Sequence, residues 1–343
     1  MFGGIEKDLL DNFKPLPKSF ESKTNPSTPD KVALGRMLYY ETRLSRGHDI
    51  SCNTCHMLDK FGVDRKVVSD GHGDQKGTRN SPTVYNAAGH FVQFWDGRAK
   101  DVEEQAKGPI LNPVEMAMKA EADVVGVLKS IPGYVEAFKK AFPNDKDPIT
   151  YNNLVAAIGA FERKLVTPSQ WDLFLAGDVK ALTAAQKAGF KQFVEAGCPT
   201  CHSGPLVGGH IYQKLGLVKP WPSDKDKGRY EATKKDEDKM MFKVPSLRNV
   251  VETAPYFHDG SVKKLEKAVT MMAWHQLGRK VTPEQAKSIV TFLGALTGDV
   301  PTEYIKKPEL PKSGPKTPKP DKTVDKAKGD DKPKPDKKAP KKA

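Results

Sequence analysis

The chain has 343 residues, 37% of them hydrophobic, with a formal charge of +13. That is enough apolar material for two ordinary domains, and no run of 18 apolar residues offers a membrane span. Most of the surplus charge lies between Lys306 and Ala343, where no aromatic residue interleaves the lysines, so a nucleic-acid-binding surface is not expected.

In chain order, the first helix signal is TPDKVALGRMLYYET, with Thr28 as N-cap and Pro29 at the first helical position. SCNTCH follows at 51–56. A long polar stretch rich in Gly and Pro then leads to TYNNLVAAIGAFERKL, where Leu154, Ile158, Phe161 and Leu165 share one helical face. A boundary is expected at LVTPSQWD, near Thr167 and Pro168. Beyond it the pattern repeats. LTAAQKAGFKQFVEAG has Thr183 and Gln186 as a capping box, Phe190, Phe193 and Val194 as its apolar stripe, and Gly197 as its stop. GCPTCH occupies 197–202. After a second polar stretch, TPEQAKSIVTFLGALTG starts at Thr282, Pro283 and Gln285, carries Ile289, Leu293 and Leu296, and ends at Gly298. Helix, CxxCH, loops and closing helix thus occur twice. The expected fold is all-α: a duplicated unit at 1–166 and 167–305, then a disordered Lys/Pro-rich tail at 306–343. The tail has too few apolar residues to offset its ordering entropy. It is expected to be a solvated extension, dispensable for chemistry, rather than a basic tether.

The four cysteines all belong to the two CxxCH runs. Paired zinc half-sites lie about 15–20 residues apart, far closer than Cys55 and Cys198. A thioredoxin-like dithiol needs a βαβ context that no strand-rich pattern supplies. A local disulfide leaves each histidine unexplained. Attachment of a c-type haem uses all three residues, two as thioethers and the histidine as proximal iron ligand. Cys52, Cys55 and His56 are therefore expected to hold one haem c, and Cys198, Cys201 and His202 a second. Covalent haem attachment belongs to an exported, oxidising compartment. The opening MFGGIEKDLLDNFKPLPKS has no apolar signal core, so a mature periplasmic chain with its leader removed is expected.

Seven segments in this order, LSRGHDISCNTCH, GHGDQKGTRNSPTVYNA, QFWDGRA, EEQAKGPILNPVEM, GCPTCH, VPSLRNVVETAPYFHDG and AVTMMAWHQLG, resemble the bacterial dihaem cytochrome c peroxidases. The likeness runs from about Leu34 to Leu296. It implies two cytochrome c-like domains with haems facing the domain interface, and reduction of hydrogen peroxide to water. The electrons would come from a small soluble donor such as a monohaem cytochrome c or a cupredoxin, and the protein would be a homodimer. For the second axial face of the first iron, His72, His90, Met116 and Met118 are the candidates. The family match selects His72, in a glycine-flanked loop, as a ligand that leaves on activation, and His90 reads as a packing residue. For the second iron the match selects Met272, with His275 three residues on as its competitor. The match also marks Glu115 as the acid/base that moves the peroxide proton. Gln105 belongs to the same mobile loop as a shaper of the pocket, and Trp95 would lie between the haems. Asn80, Thr253 and Pro255 match the ligands of a calcium ion between the domains. His258 reads as a propionate or hinge partner. Two other functions compete. A dihaem electron carrier has no use for Glu115 or a mobile His72. A dihaem enzyme oxidising protein side chains, as in maturation of methylamine dehydrogenase, has tyrosine where Met272 stands.

Overall fold

A computed structural model of the chain describes residues 2–325. One helix pair frames each half. Pro29–Tyr39 packs on Tyr151–Glu162 in the first, and Ala184–Glu195 on Pro283–Gly294 in the second. The caps form as the sequence suggests. The Thr28 side chain accepts from the Lys31 N–H, and Thr183–Gln186 and Thr282–Gln285 make reciprocal capping boxes. Both pairs cross at a glycine: a Cβ on Gly35 would overlap the Ala157 carbonyl, and one on Gly189 the Ser288 carbonyl. Backbone meets backbone at the corresponding place in each unit, where no side chain fits. The repeat is thus one of packing as well as of motif.

The first core gathers Leu34, Leu38, Leu154 and Ile158 with Tyr134 and Phe138 from the helix Pro132–Ala141. The second is aromatic, with Trp171, Phe190 and Phe292 at ring separations of 5.0 to 5.2 Å. The helical expectation holds with one addition, an antiparallel ribbon pairing Tyr212–Lys214 with Met241–Lys243. Among the described residues no helix is long and apolar enough to cross a membrane.

The chain ends depart from the expected division. Ile5, Leu10 and Phe13 are buried in the second unit's core, not the first, and Phe13 sits edge-on to Trp171 at 5.5 Å. The Leu16 N–H donates to Asp172 Oδ1 at 2.7 Å. Residues 306–325 also fail the expectation of a disordered tail, because they run along the first unit. Arg43 donates to the Pro311 carbonyl and to Ser313 Oγ, both at 2.8 Å, and Ser130 Oγ bonds Thr317 Oγ1 at 2.9 Å. The physical reason is that polar anchors replace apolar burial, while the prolines leave less unfolded-chain entropy to lose. Residues 326–343 lie outside the described part.

Candidate functional site

The second CxxCH opens where Gly197, at φ 89°, ends the preceding helix and turns the chain into Cys198–Thr200. Cys198, Cys201 and His202 line one apolar cavity with Phe193, Leu247, Leu265, Val269, Leu293 and Met272. His202 Nδ1 donates to the Val207 carbonyl at 3.3 Å, and burial holds the ring's pKa down to about 4. The imidazole is therefore neutral, with Nε2 left for a metal. Met272, on the helix Leu265–Leu277, lines that cavity. His275 does not: its Nδ1 donates to the Lys219 carbonyl at 3.2 Å, and its ring lies against Trp221.

The donor set fits a covalent haem better than the other uses of CxxC. Burial pushes Cys52 and Cys198 up to about 12, so both are protonated thiols, opposite to the depressed pKa of a redox dithiol. No group of three or more His, Cys, Asp or Glu among the described residues forms a metal cluster. The cavity also holds a polar pair that an apolar lining does not explain. Lys243 Nζ donates to His90 Nδ1 at 2.8 Å, and His90 Nε2 is buried with no partner. Burial holds Lys243 down to about 7. A buried amine and an unpartnered ring N–H lining an apolar cavity supply donors that suit the carboxylate edge of a haem. The sequence reading of His90 as packing is therefore incomplete, and Lys243 drew no attention because nothing local distinguishes it from the chain's other lysines.

In the first motif Cys52–Cys55 is a single helical turn capped by Ser51. His56 Nδ1 donates to the Pro82 carbonyl at 3.0 Å, again leaving Nε2 free, and its own carbonyl accepts the Tyr39 hydroxyl at 2.8 Å. Pro82 also lines the His202 cavity, so one residue touches both sites. Trp95 lines that cavity too, and its Nε1 donates to the Asn80 carbonyl at 2.9 Å. The three expected calcium ligands, Asn80, Thr253 and Pro255, are all among the residues lining this cavity. Asn80 Nδ2 is committed to the Lys66 and Val67 carbonyls, which leaves its oxygen for a cation. The His258 carbonyl accepts the Asn80 N–H at 2.7 Å, and its ring lies tilted against Phe242 at 4.5 Å.

The His72 loop and the Glu115 loop form one surface. The His72 N–H donates to the Glu115 carbonyl at 2.8 Å, and Gln75 Nε2 to the Pro113 carbonyl at 3.1 Å. A Cβ on Gly71 would overlap the Val114 carbonyl. Glu115 follows the helix Val102–Leu111, which carries Gln105, and the Glu115 N–H donates to the Asn112 carbonyl at 3.0 Å. Burial raises the Glu115 pKa, against the Arg98 charge and an Asn112 hydrogen bond that lower it. Burial raises the pKa of the Cys55 thiol, and the nearby carboxylates of Asp64 and Glu115 add to the rise. His72 itself is buried, and its Nε2 donates to the Thr323 carbonyl at 2.9 Å. Met116 and Met118 belong to the first core.

The di-haem cytochrome c peroxidase family model matches residues 29–180. The chain is 48% identical over 316 residues to cytochrome c551 peroxidase of Pseudomonas aeruginosa, covering 90% of each. The chain belongs to the di-haem cytochrome c peroxidase family. It is also 45% identical to cytochrome c551 peroxidase of Nitrosomonas europaea, over 86% of this chain and 87% of that protein. Among solved structures, a MauG-like protein associated with microbial copper homeostasis matches with a TM-score of 0.75 at 27% identity, over 86% of this chain and 97% of that one. Two haems c per chain agree with the two CxxCH motifs and with the cavity built around the second.

Proposed function

We propose that this cytochrome-c peroxidase reduces hydrogen peroxide to two waters, consuming two protons and two electrons from a small soluble donor such as a monohaem cytochrome c or a cupredoxin. The observation that carries the reading is the hydrogen-bonded pairing of the His72 loop with the Glu115 loop. An electron carrier has no need of it. When bound, the haem on Cys52 and Cys55 supplies the iron at which the O–O bond is cleaved, and the haem on Cys198 and Cys201 supplies an electron store. Glu115 takes the proton from peroxide and returns it to the departing oxygen, with a raised pKa that makes it a better base. His72 is an exchangeable ligand whose departure opens the pocket that Gln105 helps to shape. Met272 and His202 would hold the iron of the store between them, a pairing that would give it a high potential. Trp95 spans the space between the sites, and a calcium ion at Asn80, Thr253 and Pro255 ties the interface together. The periplasmic setting and the homodimer are carried over from the family resemblance.

The test is an EPR spectrum of the fully oxidised and half-reduced protein, followed by stopped-flow addition of peroxide. Half-reduction is expected to remove His72 from the first iron, leaving a high-spin signal and rapid reaction. Two unchanged six-coordinate irons that ignore peroxide would make the protein a carrier.

A further inference from the structure

We infer that residues 321–325 form a strap that positions His72, and that Arg46 fastens it. The inference rests on the reading of His72 as an exchangeable iron ligand.

Alternate residues of the strap turn toward one partner. Asp321, Thr323 and Asp325 all converge on the Arg46 guanidinium. Nε meets Asp321 Oδ2 at 2.8 Å, Nη2 meets Thr323 Oγ1 at 2.7 Å, and Nη1 meets Asp325 Oδ2 at 2.7 Å. The Asp321 N–H also donates to the Arg46 carbonyl at 2.8 Å. The Arg46 side chain is only 7% exposed, while Asp321 and Asp325, at 41% and 71%, meet it from the solvent side. On the strap's other face Val324 lies where a Cβ on Gly73 would be, and Gly73 holds φ at 62°, so only glycine suits the place. The Arg46 N–H donates to the Met116 carbonyl at 2.8 Å, next to the Glu115 carbonyl that accepts from His72. Strap, Arg46, Glu115 loop and His72 loop are therefore one hydrogen-bonded assembly.

The decisive contact is the Thr323 carbonyl on His72 Nε2. To donate there Nε2 must carry a proton, whereas to hold iron through that atom it must offer its lone pair. His72 therefore has two exclusive partners, and the strap stabilises the position away from iron. One net hydrogen bond is worth about 0.5–1.5 kcal/mol, so the strap shifts the released-to-bound ratio about two- to thirteenfold. Arg46 acts through the strap and does not touch the reacting atoms, which makes it a positioning residue.

The experiment compares holoprotein ending at Ala343, at Asp325 and at Pro320, together with the full-length double variant Asp321→Asn/Asp325→Asn. The half-reduced proteins are read by EPR for the high-spin to low-spin ratio of the first haem, and by hydrogen exchange at residues 70–76. The chain ending at Asp325 is expected to match the full chain. The chain ending at Pro320 is expected to lose about two- to thirteenfold in the ratio and to exchange faster at 70–76. The double variant is expected to fall between them, and a synthetic peptide of residues 306–325 is expected to restore the shortened chain. An unchanged ratio on loss of the strap overturns the inference, even if exchange quickens, because the strap would then cover the loop without positioning the imidazole. If the shortened chain fails to load haem, the double variant decides on the same two readouts. His72→Gly in the full chain separates the underlying reading: a low-spin first haem that persists there refutes His72 as ligand, whatever the strap does.

Discussion

Glu115→Gln keeps the shape of the side chain and removes its ability to accept a proton. A positioned acid/base contributes about 10²–10⁴-fold, or about 3–5 kcal/mol, and that is the expected loss in the rate of peroxide reaction. The same geometry sets the pH dependence. Glu115 works only as a carboxylate, so the rate falls as pH drops through its pKa. Burial raises that pKa above the ordinary 4.5, so the fall begins at a higher pH than for an exposed glutamate. Arg98 opposes the shift, and Arg98→Gln withdraws its charge, which destabilises the carboxylate and moves the acid limb higher still. The Arg98 side chain is 43% exposed and is screened by water. A screened charge of that kind is worth about 0.2–1 kcal/mol, so the limb should move by less than about one pH unit. The assay is stopped-flow peroxide reaction of the half-reduced protein across the acid range, with optical spectra confirming that both haems are intact. A Glu115→Gln variant reacting within about threefold of the original would remove Glu115 from the proton path. A limb that moves to lower pH in the Arg98→Gln variant would show that the carboxylate is not the titrating group.

Two further substitutions address the second unit. Met272→Leu should lower the potential of the second haem and abolish its His–Met spectrum, while His275→Ala leaves both unchanged; redox titration of the two variants checks this, and the reverse pattern would exchange the two roles. Gly189→Ala gains up to about 1 kcal/mol of helix propensity but drives a methyl group into the Ser288 carbonyl, at an overpacking cost of about 1–3 kcal/mol. The net expectation is a loss of about 1 kcal/mol, seen as a lower denaturant midpoint, and a higher midpoint would contradict the close crossing.

What was legible in the sequence was what repeats or what is local. The capping boxes at Thr183 and Thr282 and the stop at Gly197 sit within a few residues of their partners, so their chemistry can be read along the chain. Spacing also carried the cysteines: two thiols and a histidine within five residues admit few chemistries. That Met272, His202, Asn80, Thr253 and Pro255 all line one cavity could not be read along the chain. No local signal joins residues that far apart, and the cavity that gathers them exists only once both units fold.

The C-terminal segment shows why composition alone misleads. The case for disorder from Lys306 onward weighed entropy against apolar burial, and it treated lysines and aspartates as solvated charge. Residues 306–325 are ordered by a different route, through carbonyls, hydroxyls and carboxylates that meet Arg43, Ser130 and Arg46 far away in sequence. Such pairings are non-local, so no window along the chain reveals them. Arg46 was hidden for a second reason: it lies inside LSRGHDISCNTCH, where the haem-attachment residues already accounted for the motif. The crossing of the ends follows from the same arrangement. The chain passes from the second unit to the first between Gly298, whose N–H donates to Asn249 Oδ1 at 3.0 Å, and Ile305, whose carbonyl accepts the Tyr40 hydroxyl at 2.5 Å. With Ile5, Leu10 and Phe13 returning to the second unit, each end of the described chain is packed on the unit that the other end of the sequence builds. Separating the units therefore requires undocking both ends.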